Sequence, residues 1–308
     1  MVDVEEIKSV KLAPFTLMSS SIHAIIAFIA AIIMFIAFGT IAAVIPQAQG
    51  LGTFITFAGA ALIIIYPISA FFINLATSFF GALLYNGLVS RLGGIKLGLD
   101  GNELTELPVV SFALILASIE AIWAFIIGVF LTAAIIPVIA GLSKSIPVIS
   151  QAIANATNAT NATIPTGAAL GASGVFLAIF LIIGLPIIAF VGGFIVNALA
   201  AIFYNYIATR VAKVQLNLTA TGTSFDLTSI PVVPAALSLA IVFAIFGFLR
   251  GLANLVTLSA NGNVVGGIGS LIGMTVGSFI VYFILIALVA IFYNFLAPRI
   301  GAVKLELE

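Results

Sequence analysis

The chain has 308 residues, of which 63% are hydrophobic and only 6% charged, with ten Lys and Arg balanced by ten Asp and Glu. Soluble domains carry about 25% charged residues, so this composition excludes a water-soluble globular protein and indicates one whose solvent is the lipid bilayer. Zero net charge argues against nucleic acid as a partner, and a chain with no cysteine and one histidine cannot build thiolate or multi-histidine metal sites. We therefore predict no cofactor.

Six long apolar stretches follow one another along the chain, each exceeding the ~20 residues that a helix needs to cross a bilayer. None shows the alternating pattern of a barrel strand, so all six are predicted to be helices. The predicted spans are residues 16–45, 53–88, 108–141, 173–208, 231–259 and 270–297. Pro67 and Pro186 are the predicted kink points, because proline removes a helical hydrogen bond.

A Tyr-Asn pair occurs near the end of every second span, with an Arg six residues after the Tyr. The three copies are Tyr85-Asn86 with Arg91, Tyr204-Asn205 with Arg210, and Tyr293-Asn294 with Arg299. The opening segments also correspond, because they end at Pro14, Pro108 and Pro231. This spacing predicts three tandem helical-hairpin repeats, residues 1–99, 100–218 and 219–308, the second with an outer loop at 142–172. A bundle with a pseudo-threefold axis is expected, and a linear arrangement stays open.

Short alternating segments open and close each repeat, as in "KLELE" at the chain end. Alternation of polar and apolar residues predicts β-strands, which we expect to pair on the cytoplasmic face. The Tyr-Asn pair has two interpretations. It is either an interfacial anchor that ends the helix, or its three Asn side chains form a ring that binds an ion or a lipid headgroup.

The distribution of positive charge predicts the orientation of the spans. Eight of the ten Lys and Arg lie on the side that holds both chain ends, which the positive-inside rule assigns to the cytoplasm. The loop after the third span carries three consecutive N-x-T sequons, at Asn155, Asn158 and Asn161. We predict N-glycosylation there, since these sequons would face the outside of the plasma membrane.

The closing segment "LLYNGLVSRLGGIKLGL" resembles that of a family of actinobacterial membrane proteins of unknown function, each a single hairpin. Members of that family begin with a short basic segment, cross the membrane twice and close with Tyr-Asn, Gly-Gly and a strand. The resemblance implies the hairpin unit, here repeated three times, and implies no known activity.

Few polar residues fall within the predicted spans. Glu120 lies near mid-bilayer, where a charge is costly, so it is expected to be protonated or paired and to bind a proton or cation, or to make one structural hydrogen bond. His23 is expected at a comparable depth, either as a lone packed histidine or in contact with Glu120. Arg250 is expected to extend to the outer interface. Asn74, Asn197 and Asn254 are predicted to form interhelical hydrogen bonds.

Two functions remain open at the level of sequence. The first is a non-enzymatic membrane scaffold or cell-envelope component that contacts lipids and either protein partners or further copies of itself. The alternative is a channel or transporter for an ion or small solute along the pseudo-threefold axis. The lack of cysteine and the many Ile and Ala residues are also typical of a thermophilic, archaeal-like membrane protein.

Overall fold

The structure is a computed structural model that describes residues 3–44, 52–157 and 167–308. Its helices are α1 (Leu12–Val44), α2 (Gly52–Leu92), α3 (Val109–Thr157), α4 (Gly167–Ile179), α5 (Leu185–Tyr206), α6 (Val232–Ala260) and α7 (Val264–Ile300). The described residues contain six helical spans long and apolar enough to cross a membrane, as predicted. The chain divides into two compact units, one formed by residues 1–112 and 199–308 and the other by residues 113–198.

Antiparallel helix pairs make up most of the first unit. In the pair α6 and α7, small residues allow the backbones to approach closely, which is how helices associate in lipid. A Cβ at Gly247 would lie 2.5 Å from the Met274 carbonyl oxygen, and one at Gly251 would lie 2.8 Å from Leu271 Cα. The contact between these two helices therefore depends on glycine.

The second unit contains most of α3 and α5 together with α4. Between α4 and α5, residues Phe180–Gly184 form a π-helical turn in which the Leu185 N–H bonds to the Phe180 carbonyl. This turn ends two residues before Pro186, and a π-turn is a common device for re-satisfying backbone groups near proline. Gly128 of α3 contacts this turn, because a Cβ there would lie 1.9 Å from the Leu181 carbonyl oxygen.

One segment of this unit contains more helix than the sequence predicted. Most of the expected outer loop at 142–172 is helical, because α3 continues to Thr157 and α4 begins at Gly167. Residues 148–156 contain neither glycine nor proline, so nothing in the local sequence stops the helix after Pro147. At 49 residues, α3 extends for about 73 Å, well beyond the ~30 Å hydrocarbon core.

Six short strands form an antiparallel sheet in the first unit. They are β1 (Asp3–Val10), β2 (Lys96–Asp100), β3 (Glu103–Glu106), β4 (Asn217–Thr221), β5 (Ser224–Ser229) and β6 (Val303–Leu307). The strand order is β3-β2-β1-β6-β5-β4, so the strands from the two chain ends are neighbours in the middle. Gly101 and Gly222, both with positive φ, form the tight turns β2–β3 and β4–β5.

The edges of this sheet are joined to each other. Leu104 of β3 donates its N–H to the Val214 carbonyl at 2.8 Å, and Leu216 donates to the Asn102 carbonyl at 2.8 Å. Residues 214–216 directly precede β4, the strand at the opposite edge. The six strands and residues 214–216 thus form a closed ring of backbone hydrogen bonds, which we call the strand ring. The closure pairs the outer edge of β3, which an open sheet would leave exposed.

The apolar side chains of the strand ring pack on the ends of the helices. One buried cluster comprises Leu97, Leu99, Leu104, Tyr204, Ala208, Val214 and Val242. A second comprises Met18, Ile22, Tyr293, Leu296, Ala297 and Val303. Each cluster combines strand residues with a Tyr of the repeated motif, so the motif lies at the junction between sheet and helices.

Candidate functional site

The Tyr hydroxyl makes the same two backbone hydrogen bonds in all three copies of the motif. Tyr204 donates to the Leu104 carbonyl at 2.6 Å and accepts from the Val214 N–H at 3.1 Å. Tyr85 and Tyr293 do the same with the residues at equivalent positions, which are Ile7 and Ile95, and Leu227 and Val303. Each Tyr therefore joins the opening strand of its copy to the closing segment.

The Asn side chain adds a second pair of bonds. Asn205 Oδ1 accepts from the Leu107 N–H at 2.8 Å, and its Nδ2 donates to the Leu107 carbonyl at 2.8 Å. Asn86 bonds in the same way to Val10, and Asn294 to Ile230. The amide thus replaces a strand partner for one residue at the point where the opening strand leads into a helix.

We call this set of four hydrogen bonds the Tyr-Asn clamp. Both functional atoms of every Asn amide are bonded to backbone of the same chain, and the hydroxyls are bonded on both sides. This geometry favours the interpretation as an anchor that ends the helix. The three Asn amides are already hydrogen-bonded to the backbone, so they are not free to coordinate an ion or a headgroup.

The clamps also give a more accurate alignment of the three copies than proline does. In the three copies the Asn bonds to Val10, Leu107 and Ile230. Pro108 directly follows Leu107, and Pro231 directly follows Ile230. Pro14 does not correspond to them, because it lies four residues after Val10, within the first turn of α1. Aligning the copies on Pro14 is therefore wrong by three residues.

The three Arg residues of the motif lie on the outside of the helix ends. Arg91 and Arg299 are in the last turns of α2 and α7, and Arg210 is in the short 3₁₀ turn after α5. All three are exposed, and none forms a salt bridge within the described part of the chain. Arg299 bonds to the Phe295 carbonyl and stacks on the Phe295 ring, a favourable position for a cation at a helix C-terminus.

An acidic residue that sequence analysis missed precedes each Tyr-bonded carbonyl. These residues are Glu6, Glu103 and Asp226, and each lies opposite the residue that opens the closing segment. The opposite residues are Lys96, Gln215 and Lys304. The signal that identifies these acids is their position four residues before the residue that the Asn bonds, as at the start of "ELTELP" and "DLTSIP". For Glu6 it becomes visible only with the corrected alignment.

Local bonds stabilise the charged form of several carboxylates on the strand ring. Glu6 accepts the Gly94 N–H at 2.7 Å, and this bond is the main reason that its pKa is lowered. The pKa of Glu103 is lowered chiefly by Lys213, 2.8 Å away, which has its own pKa raised by the same contact. Bonds from Lys11 and Ser9 lower the pKa of Glu306. The strand ring is thus an ordered network of charges.

The second unit holds Glu120, the acid of the third apolar span. Glu120 of α3 accepts a hydrogen bond at Oε1 from Asn197 Nδ2 of α5, at 3.0 Å. A Cβ at Gly193 would lie 1.8 Å from Glu120 Oε2, so this carboxyl rests in the space that a missing side chain leaves. Glu120 as a whole residue is exposed on the surface of the pair formed by α3 and α5. The predicted pairing of Asn197 across a helix interface is observed.

The other predicted polar residues lie in the first unit. His23 is exposed on α1, and its Nδ1 bonds to the Ser19 carbonyl at 2.9 Å. Arg250 is exposed on α6. Asn74 accepts from Ser19 Oγ at 2.8 Å, and Asn254 donates to Ser270 Oγ at 3.1 Å, so both make the predicted interhelical bonds.

Counting from the clamps shows which of these residues correspond. His23 and Glu120 each lie thirteen residues after the residue held by the Asn, and Phe243 has that position in the third copy. Phe243 stacks on Tyr282 with ring centroids 3.8 Å apart, and Tyr282 corresponds to Gly193. The three copies thus have chemically different side chains at equivalent helix positions.

Of the three predicted glycosylation sites, Asn155 is near the end of α3. Asn158 and Asn161 lie outside the described residues.

No family model, no curated protein and no solved structure matches this chain. Within the described residues, no group of three or more His, Asp or Glu is arranged to hold a metal ion. The resemblance of the closing segment to the single-hairpin family stays a prediction.

Proposed function

We propose that this chain is a non-enzymatic membrane scaffold built from three hairpin repeats, whose strand ring faces the cytoplasm and binds protein partners. The observation that supports this most is the set of three Tyr-Asn clamps. They commit the repeated polar groups to holding a closed, charged platform on the helix ends. A rigid platform of this kind is what a docking surface requires.

The charge distribution supports the same assignment. Of the twenty charged side chains, all but Glu120, Lys144 and Arg250 lie on the strand ring or at the helix ends next to it. Both signs are interspersed there, as in surfaces that select partners by electrostatic complementarity.

The scaffold proposal is tested by native mass spectrometry of the protein extracted gently from its own membrane. We expect a foreign subunit in fixed stoichiometry, which is lost from a variant with Asp100→Lys and Glu106→Lys, two exposed acids of the ring. Lys144→Glu, an exposed charge on α3 outside the ring, is the control and should retain the subunit. A monomer or homo-oligomer in every sample would contradict the proposal.

The proposed orientation puts both termini in the cytoplasm of the plasma membrane and the sequons outside. Because the chain has no cysteine, single cysteines give a clean test. Asn261→Cys, in the exposed turn between α6 and α7, should react with an impermeant maleimide in intact cells. Thr223→Cys, in the β4–β5 turn of the same repeat, should react only after permeabilisation. The opposite pattern would reverse the orientation.

Glycosylation is part of the same proposal. Changing Asn155, Asn158 and Asn161 together to Gln should lower the intact mass through loss of the glycans, although each substitution by itself adds one methylene group. An unchanged glycan mass would refute it.

A second candidate function is transport of an ion or small solute, and the Glu120–Asn197 pair is the observation that favours it. Intramembrane ionisable residues commonly mark ion pathways. Flux into vesicles should then exceed background for the wild type and fall for Glu120→Gln. Background flux for both proteins would exclude this function.

A further inference from the structure

The Glu120 site is composed of three residues on two helices of the second unit. Oε1 of Glu120 is bonded to Asn197, and Oε2 lies over the backbone of Gly193. The Ala117 Cα would be 3.5 Å from a Cβ at Gly193, so α3 and α5 are in close contact here. The carboxyl is therefore held in one position against α5, although the residue remains exposed on the surface of the helix pair.

The depth of this site makes its charge state consequential. Glu120 lies thirteen residues beyond Leu107, about 20 Å along the helix, and hence within the ~30 Å hydrocarbon core. A charged side chain near the bilayer centre is energetically costly. Taking up one proton removes that cost and keeps the Asn197 bond, because a neutral carboxyl still has an acceptor oxygen.

No other charge in the described part of this unit compensates Glu120. Within residues 113–157 and 167–198 the only other charged side chain is Lys144, 24 residues further along α3 and so about 36 Å away. The residues of α5 that face the carboxyl, Asn197 and Gly193, do not titrate. Within the described part of this unit, a proton is therefore the partner that can neutralise the Glu120 carboxylate.

Packing alone does not require an acid at this position. In the third copy the corresponding residues, Phe243 and Tyr282, close the helix pair by stacking their rings. The first copy has His23 there, bonded within its own helix. A helical hairpin of this design therefore closes without a carboxyl, so the acid, its Asn donor and the glycine are a special feature of the second copy.

We propose that Glu120, Asn197 and Gly193 form a proton-binding site within the membrane. The carboxylate accepts one proton from water to become the carboxylic acid, and the acid returns that proton to water when it ionises. No other bond is formed or broken. The site does not depend on the scaffold function, since the strand ring and its partners are probed separately.

The test uses dicyclohexylcarbodiimide, a lipid-soluble reagent that modifies protonated carboxyls in apolar surroundings. Native membrane vesicles are treated across mildly acidic to mildly alkaline pH, and the modified residue is identified by mass spectrometry. We expect Glu120 to be modified, with a rate that falls about tenfold per pH unit on the alkaline side of its transition. The product should be absent from Glu120→Gln.

Two neighbouring glycines supply a matched pair of variants. Gly193→Ala puts a methyl group where Oε2 lies, so it should displace the carboxyl and shift the pH at which modification is half-maximal. Gly192→Ala has nothing within 4 Å of the added Cβ and should leave that pH unchanged.

Three outcomes would overturn the proposal. One is an unmodified Glu120 in wild-type vesicles in which a lipid-soluble carboxylic acid reacts. Another is a modification rate that does not depend on pH. The third is modification only after detergent extraction, which would show that a partner helix covers the carboxyl. The first two are read on the wild type, so the test does not require any variant to fold.

Discussion

The sheet end of the helices and their middle differ in how far the three copies agree. At the sheet end, every copy has the same Tyr-Asn pair and the same four hydrogen bonds. At the level thirteen residues beyond the clamp, the copies have His23, Glu120 and Phe243. The shared end supports the architecture, and the divergent middle is where one copy can carry a chemical property that the others lack.

The physical reason lies in what each region must satisfy. Where strands lead into helices, backbone N–H and C=O groups lose their regular partners and must be bonded by side chains. Few residue types can do this, so the clamp has the same form three times. In the middle of a helix the backbone is already satisfied, and any side chain that packs is tolerated.

The largest effect should come from breaking a clamp. Tyr204→Phe removes a hydroxyl that bonds two backbone groups, at a residue only 1% exposed. Each buried group left unsatisfied costs about 1–3 kcal/mol, so we expect a large decrease in the free energy of unfolding in detergent micelles.

Tyr206→Phe is the matched control, since Tyr206 is 64% exposed and two residues away. Tyr85→Phe and Tyr293→Phe should resemble Tyr204→Phe, because their bonds are the same. Equal effects for Tyr204→Phe and Tyr206→Phe would show that the clamp does not stabilise the fold.

The next effect concerns the middle of the third copy. Gly247→Ala should push α6 away from α7, since its Cβ would overlap the Met274 carbonyl. Overpacking typically costs about 1–3 kcal/mol of stability. We expect to observe this cost as a lower melting temperature. Gly273→Ala in α7 has open space around the new methyl group, and a loss of stability as large as that of Gly247→Ala would refute the close contact.

Acid should weaken the strand ring before it affects the helices. The pKa values of Glu6, Glu103 and Glu306 are lowered in the folded protein, so their stabilising contribution is fully present above the ordinary glutamate pKa of 4.5. It is lost as the pH falls through the folded-state values. Relative to the intrinsic exchange rate at each pH, amide exchange in β1, β3 and β6 should accelerate below that pH, while exchange in α6 and α7 should not. Simultaneous acceleration in both regions would contradict this.

The smallest effect is expected for a single interhelical hydrogen bond. Ser19→Ala removes the donor to Asn74, and such bonds contribute about 0.6 kcal/mol on average. The thermal unfolding curve should shift only slightly, and Ser90→Ala near the end of α2 serves as comparison. A loss comparable to that of Tyr204→Phe would show that the middle of the first copy is as constrained as its end.

Hydropathy and periodicity were sufficient to predict the six helical spans, because the bilayer imposes length and composition on each span. The alternating residues of "KLELE" also predicted strands correctly. The helical continuation of α3 to Thr157 was missed, since a polar stretch was taken for a loop although it lacks a helix breaker.

Less of the candidate site could be predicted from the sequence. The Tyr-Asn pairs were identified, but their bonds to Leu107 and Val214 join residues about a hundred positions apart or lie across a turn, and no local pattern encodes them. The use of Pro14 to align the first copy misplaced it by three residues, which also hid Glu6 as the counterpart of Glu103. The Glu120–Asn197 bond depends on Gly193, which leaves space for the carboxyl. A glycine has no side chain, so the sequence pattern did not identify it as part of the site.

The most direct test of the Tyr-Asn clamps is residue-resolved hydrogen exchange in micelles. The amides of Val10, Leu107 and Ile230, which bond to Asn, and of Ile95, Val214 and Val303, which bond to Tyr, should exchange slowly. Asn205→Ala should accelerate Leu107 without affecting Val10 or Ile230. If these amides exchange in the wild type as fast as those of the exposed 222–223 turn, the clamps do not hold the strand ring to the helices.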